Sequence, residues 1–182
     1  MDNIKKFKDK EIRIRVLEEQ DIEKSSKFNR FANELVKDQT AFISDDIEHI
    51  LETQDFLVSE RLKEINEKRA IVLVAENNNS SIIGRASITP KTGLAEHVGL
   101  LEVHILKGYR DLGLGKFLFS EILKLAKTNL KKTNTVRLSV FSNNEVAISL
   151  SHQMGFKKIV EIPQQVASNG IIADEVIMLK EI

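Results

Sequence analysis

The chain has 182 residues, no cysteine, 42% apolar residues, and 27 Lys+Arg against 27 Asp+Glu. That length fits one domain, residues 1–182, with apolar mass for a sizeable core, and the zero net charge argues against nucleic acid, since phosphate-backbone binding wants a basic excess. The missing cysteines exclude disulfides, thiolate nucleophiles and cysteine zinc sites; the N-terminal MDNIKKFKDKE has no apolar signal segment, and the longest clean apolar run, Ala70–Ala75, is too short to cross a membrane, so a soluble cytoplasmic protein is expected.

Glu11–Val16 alternates, with Ile12, Ile14 and Val16 on one side, and reads as a strand. From Asp21 to about Lys68 the pattern is helical and broken at least once, with Ser44 and Thr53 as N-caps and Val58, Leu62 and Ile65 at helical spacing. Ala70–Glu76 is a short β-branched strand that ends in the turn cluster Asn77–Ser80. Ser81–Thr89 returns as its hairpin partner, and His97–Leu106 is a third strand after the turn Pro90–Gly93.

Leu114–Leu130 is the strongest helix, with Leu114, Leu118, Ile122 and Leu125 on one stripe and lysines on the wet side. Thr135–Phe141 is a strand. Asn144–Gln153 is a short helix followed by Gly155 as a C′ glycine. Phe156–Ile162 and Ile171–Leu179 are the last two strands, joined by a loop through Pro163 and Asn169-Gly170. The order is βααββ–β–α–β–α–ββ, which predicts one α/β domain.

Tyr109-Arg110-Asp111-Leu112-Gly113-Leu114-Gly115-Lys116 joins the third strand to the strongest helix. Glycines at a helix start expose N–H groups where the helix dipole begins, a place for phosphate. A P-loop is excluded: Gly108 and Gly113 have its spacing, but Leu114 stands where Lys is needed, and Gly115-Lys116 is followed by Phe117 instead of Ser or Thr. A dinucleotide fingerprint is weakened by Leu118 at its third glycine position and by the hairpin that precedes the strand. The remaining pattern is Arg/Gln-x-x-Gly-x-Gly, met by Arg110, Gly113 and Gly115.

This segment resembles motif A of the GNAT superfamily of N-acetyltransferases. His97-Val98-Gly99, Ile105 and Tyr109-Arg110 resemble the family's preceding strand. Asn144-x-x-Ala147-x-x-Leu150-Ser151-x-x-x-Gly155-Phe156 resembles its Asn-x-x-Ala-x-x-Leu-Tyr-x-x-x-Gly-Phe motif, and Asp174-x-x-x-Met178 a common last strand. The resemblance implies an α/β (α+β) fold: a mixed, mostly antiparallel twisted sheet of about seven strands with helices on both faces. It implies acetyl-CoA as cosubstrate and no metal. The pyrophosphate would lie on the backbone of Arg110, Asp111, Leu112, Gly113, Leu114, Gly115 and Lys116, the pantetheine arm along Val103, His104 and Ile105, with Asn144 also at the cofactor. The glycines let phosphates approach the backbone.

The implied reaction is acetyl transfer to a primary amine of a small molecule or protein N-terminus. It needs a proton acceptor, a polarised carbonyl and a donor to the leaving thiolate. The family often carries Tyr where this chain has Ser151, and a hydroxyl of that kind can bond a sulfur or a water but is a poor acid. Glu stands two residues into the strand of the second motif in some relatives; Ser139 stands there here. Glu102 and His104 share one face of the cofactor strand if it is regular, and Glu102 could take the amine proton through water. The same carboxylate also reads as a paired or solvated charge on a sheet face. His97 and Glu96 are rim candidates, and Asp45, Asp46 and Glu48 could attract a cationic amine or simply cap a helix. No His/Asp/Glu set has metal-ligand spacing. With Ser151 in place of that Tyr and no base marked by motif, the alternative is an acyl-CoA-binding module with little or no turnover. Many relatives pair through their last strands, so a homodimer is a further expectation.

Overall fold

The computed structural model describes residues 1–18, 21, 25–37, 70–168 and 171–182. The described residues form eight strands in one sheet: β1 Asp2–Phe7, β2 Lys10–Val16, β3 Ile71–Glu76, β4 Ile82–Pro90, β5 Val98–Ile105, β6 Thr135–Phe141, β7 Lys157–Ser168 and β8 Ile171–Glu181. Three helices accompany them, α1 Ser25–Lys37, α2 Leu114–Asn129 and α3 Glu145–Gln153. The strand order is β1-β2-β3-β4-β5-β6-β8-β7. Neighbours are antiparallel except β5 and β6, which run parallel.

β3 explains why helices are needed on both faces. Every residue of IVLVAE is buried. Ile71, Leu73 and Ala75 join the core under α2, with Leu114, Leu118, Ile122 and Ala126 of that helix. Val72 and Val74 point the other way, to Leu17, Phe31 and Leu35. Burying a side chain such as Leu118 or Ile122, both 0% exposed, contributes about 1.5–3 kcal/mol. The mixed, mostly antiparallel sheet with helices on both faces is therefore as the resemblance implied.

Three features differ from the sequence reading. The sheet has an extra strand, β1, which the pattern does not reveal because five of its six residues are exposed and Ile4 faces solvent. Backbone pairing with β2 holds it, across a turn in which Lys8 has φ 55°. Second, β7 does not end at Ile162 but passes through Pro163 to Ser168. The register shifts between Ile162 and Val166, so proline sits at an irregularity where no ladder N–H is needed. The Gln164 N–H donates there to Asp174 Oδ1 at 2.9 Å. Third, only Asp21 and Ser25–Lys37 of the expected helical region are described. Ser44, Asp45, Asp46, Glu48, His49, Thr53, Val58, Leu62 and Ile65 lie outside the described residues, as do Asn169 and Gly170.

Candidate active site

β5 pairs with β4 without a register shift, from Gly84↔Ile105 to Pro90↔Gly99. Its other edge pairs with β6 only at Val98↔Thr135, Gly99↔Val136 and Leu100↔Arg137. Beyond that point β5 runs on to Ile105 and β6 to Phe141, and the two strands part. The Val98 carbonyl accepts from the Lys91 N–H, and the Leu106 N–H donates to the Ile83 carbonyl. Even-numbered backbone groups of β5 therefore face β4. By alternation, the N–H and C=O groups of Leu101, Val103 and Ile105 face the gap. Of the three residues expected along a pantetheine arm, Val103 and Ile105 turn their backbone to the gap. His104 turns its backbone to β4 instead.

The gap leads to the glycine turn. A 3-10 turn, Lys107–Tyr109, follows β5, and Arg110 Nε donates back to the Ile105 carbonyl at 2.9 Å. The Tyr109 hydroxyl accepts from Asn77 Nδ2 at 3.2 Å, which ties it to the turn after β3. Asp111 (φ 57°) and Gly113 (φ 84°) are both left-handed. Two such residues within three positions turn the chain sharply into α2. The first helical bond of α2 is Phe117 N–H to the Gly113 carbonyl, at 3.0 Å. The amides of Leu114, Gly115 and Lys116 precede it, and Gly113 has no side chain to cap them. Among the described residues a Cβ on Gly113 would meet nothing within 4 Å, and one on Gly115 only Ile105 Cγ1 at 3.7 Å. Among these residues, side-chain space at both glycines is therefore free of close contacts.

Glu102 and His104 share a face, as a regular strand requires. It is the face opposite α2, because Gly84 and Ile105, on the other alternation, meet Leu118 and each other. Cross-strand register sets Ser87 opposite Glu102 and Arg85 opposite His104. Arg85 forms an ion pair with Glu102 Oε2, and Ser87 Oγ donates to the same oxygen at 3.3 Å. Burial pushes the His104 imidazole down to about 4, the Arg85 charge adds to the effect, and Glu102 opposes it. His104 is thus neutral at neutral pH.

That shift has a measurable consequence. The unfolded chain, with an ordinary histidine, binds a proton near pH 6.5, whereas the folded chain resists it down to about 4. The stability contributed by neutral His104 is complete above pH 6.5 and is lost as the pH falls toward 4. The slope is at most about 1.4 kcal/mol per pH unit. Urea unfolding at pH 7, 5.5 and 4.5 should show this loss, and His104→Gln should flatten it. An equal pH dependence in the variant would assign the loss to other groups.

α3 packs against the core on the α2 side and reaches the start of that helix, where Lys116 Nζ donates to Gln153 Oε1 at 3.4 Å. Asn144 is the N-cap of α3, and its Oδ1 accepts from the Ala147 N–H at 3.1 Å. A role at a cofactor therefore falls to its amide NH2. The helix closes in a Schellman arrangement: Phe156 N–H to Ser151 carbonyl, and Gly155 N–H to His152 carbonyl, with Gly155 at φ 86°. Ser151 is 3% exposed and its hydroxyl donates to the Ala147 carbonyl at 2.8 Å. Ser139 is exposed on β6. Parallel register with β5 puts it on the face of Glu102 and His104.

Arg85 and Ser87 were not legible as site residues. Nothing in the local sequence marks them, and their place beside Glu102 follows only from the β4–β5 register. Among the described residues no group of three or more His, Asp or Glu side chains could hold a metal, and no helix is long and apolar enough to cross a membrane.

Comparison with known proteins points the same way. The acetyltransferase (GNAT) family matches residues 30–156. A GNAT-family acetyltransferase from Streptococcus pneumoniae is similar at 27% identity and TM-score 0.78, over 94% of this chain and 99% of that one. The structure of yncA from Salmonella typhimurium, which holds its cofactor acetyl-CoA, is similar at 21% identity and TM-score 0.73, over 93% of each chain. A ribosomal-protein-S5-alanine acetyltransferase from Vibrio fischeri is similar at 14% identity and TM-score 0.76, over 100% of this chain and 96% of that one. No curated protein matches the chain.

Proposed function

The chain belongs to the acetyltransferase (GNAT) family, and on that premise we propose that it moves an acetyl group from acetyl-CoA to a primary amine, of a small molecule or of a protein N-terminus. The observation that carries this reading is the three-residue pairing of β5 with β6. Among the described residues it leaves the edge of β5 beyond Leu100 without a strand partner, beside a turn whose first helical amides have no intrahelical acceptor. In this reading the amides of Val103 and Ile105, with that of Leu101, bind the arm as a further strand. The backbone of Arg110–Lys116 holds the pyrophosphate, Arg110 fastens the turn to the end of β5, and Asn144 contributes its amide NH2. Acetyl-CoA supplies an activated acyl group when bound, so the protein has to position the amine and manage its proton.

Glu102 is the proton acceptor of this reading, directly or through a water. Its carboxylate stands on the face opposite α2, on the same strand as the gap-facing amides. A gap-facing N–H of β5 is suited to polarise the carbonyl oxygen. Ser151 is not the acid: its proton is already given to the Ala147 carbonyl. A buried hydroxyl used in this way can still accept a hydrogen bond near the sulfur.

Calorimetry with acetyl-CoA, followed by thiol release across a panel of amines, tests the proposal. Binding with release is expected. No binding at millimolar cofactor would sink it, and tight binding with no release for any amine would favour a non-catalytic acyl-CoA-binding module. Ser151→Ala should change kcat for thiol release by no more than about twofold, because losing a true general acid would cost about 100-fold or more.

A further inference from the structure

Glutamate reaches its functional atoms through three rotatable bonds, so a catalytic carboxylate on a sheet face needs something to hold it. Three described groups stand around Glu102. Arg85, from β4, pairs with Glu102 Oε2. Ser87, also from β4 and 2% exposed, donates to the same oxygen at 3.3 Å. His104 stands two residues along β5 and directly opposite Arg85. The Arg85 Nε–H is buried and meets no acceptor among the described residues. A guanidinium that served only the fold would be expected to have its buried donors satisfied. This one is engaged through the end that touches the carboxylate.

We propose that Arg85 is a positioning residue of the acetyl-transfer reaction, which holds the Glu102 carboxylate against Ser87 on the acceptor side of the gap. This rests on the reading of Glu102 as proton acceptor. The forked guanidinium fixes direction as well as charge, so lysine is not an equivalent replacement. Arg85 also acts on His104, and it does so together with Glu102. Among the described residues these two are the charged groups that face that imidazole, one from β4 and one from β5 itself. Removing the guanidinium therefore reports at two places: in the rate and in the titration of His104.

The test compares wild type, Arg85→Gln, Arg85→Lys and Ser87→Ala. Acetyl-CoA affinity is measured by calorimetry. Thiol release with spermidine and with an alanine-terminated peptide is measured across pH, and His104 is followed by NMR. Arg85→Gln should leave acetyl-CoA affinity unchanged and lower kcat by about 100-fold. It should also move the acid limb of the pH–rate profile to higher pH, because a guanidinium beside a carboxylate favours its charged form. The His104 titration should rise toward the ordinary histidine range. Arg85→Lys should restore the His104 titration in part and less of kcat. Ser87→Ala, which removes one bond and no charge, should show a smaller loss of kcat with the pH profile in place.

If Arg85→Gln turns over with the wild-type kcat and pH profile, the positioning role is overturned while the acetyltransferase reading stands. If wild type binds no acetyl-CoA or acetylates neither amine, the role falls with that reading, and a shifted His104 would then report only a structural contact. Should Arg85→Gln fail to fold, Arg85→Lys decides: full kcat together with an unmoved profile would overturn the proposal.

Discussion

Gly115→Val should weaken acetyl-CoA binding by about 100-fold or more, the scale of losing the contacts of a close phosphate–backbone approach, while the melting temperature stays close to that of wild type. The two glycines of the turn are not equivalent in this respect. Gly113 has φ 84°, a conformation that costs a residue with a Cβ about 1–2 kcal/mol. A side chain there would lower stability and affinity together, and a loss of binding would be ambiguous. Gly115 lies inside the first turn of α2 and its φ is not positive. Among the described residues its Cβ would find only Ile105 Cγ1, at the ordinary distance of 3.7 Å. A side chain at Gly115 is therefore accepted by the fold and opposed only by what occupies the space in front of the amides. Gly115→Ala should go further: replacing glycine within a helix stabilises by up to about 1 kcal/mol, even as the methyl enters the phosphate's space. Calorimetry and thermal unfolding on the same samples separate the two effects. Undiminished affinity in Gly115→Val would move the pyrophosphate elsewhere.

The glycine turn was legible because its chemistry is local. Spacing, helix start and glycine content all lie within eight residues, and the left-handed Gly113 and the Schellman Gly155 fall where those motifs place them. The strands β3 to β6 were legible for a related reason, since their apolar runs are bounded by turn residues. What the sequence does not carry is register. Whether Glu102 and His104 share a face depends on β5 being regular, and their partners Arg85 and Ser87 follow from pairing with β4. The direction in which each backbone amide of β5 points has the same origin, which is why His104 was grouped with Val103 and Ile105. β1 was hidden by exposure, because a strand with no buried face has no alternation to read. Ser151 was recognised as a departure, but the Ala147 carbonyl that takes its proton is a matter of rotamer.

The largest stability effect is expected far from the gap, at Arg15. Its guanidinium reaches Asp21 at 2.7 and 2.8 Å and Glu76 at 2.8 and 3.2 Å. Asp21 is 1% and Glu76 2% exposed. Hydrogen bonds donated to Asp21, and then to Glu76, hold Arg15 protonated beyond its ordinary range against the cost of desolvation. One cation thus serves two buried carboxylates. Arg13 stands 3.8 Å from Glu76 but is half exposed and already engaged with Asp2 at 2.6 Å, so it is a weak substitute. Arg15→Leu should cost about 3–5 kcal/mol, because it leaves buried carboxylates without their counter-ion. For a chain of this size the melting temperature should fall by roughly 10 °C. Adding Glu76→Leu to Arg15→Leu should recover part of the loss, since it removes one of the two buried carboxylates that the guanidinium served, while Asp21 still lacks it. Urea unfolding of the two variants measures both values. A double variant no more stable than Arg15→Leu alone would mean that Asp21, not Glu76, carries the dependence on Arg15. That outcome would locate the function of the triad at the point where the chain leaves β2 toward α1, the helix on the Glu102 side of the sheet.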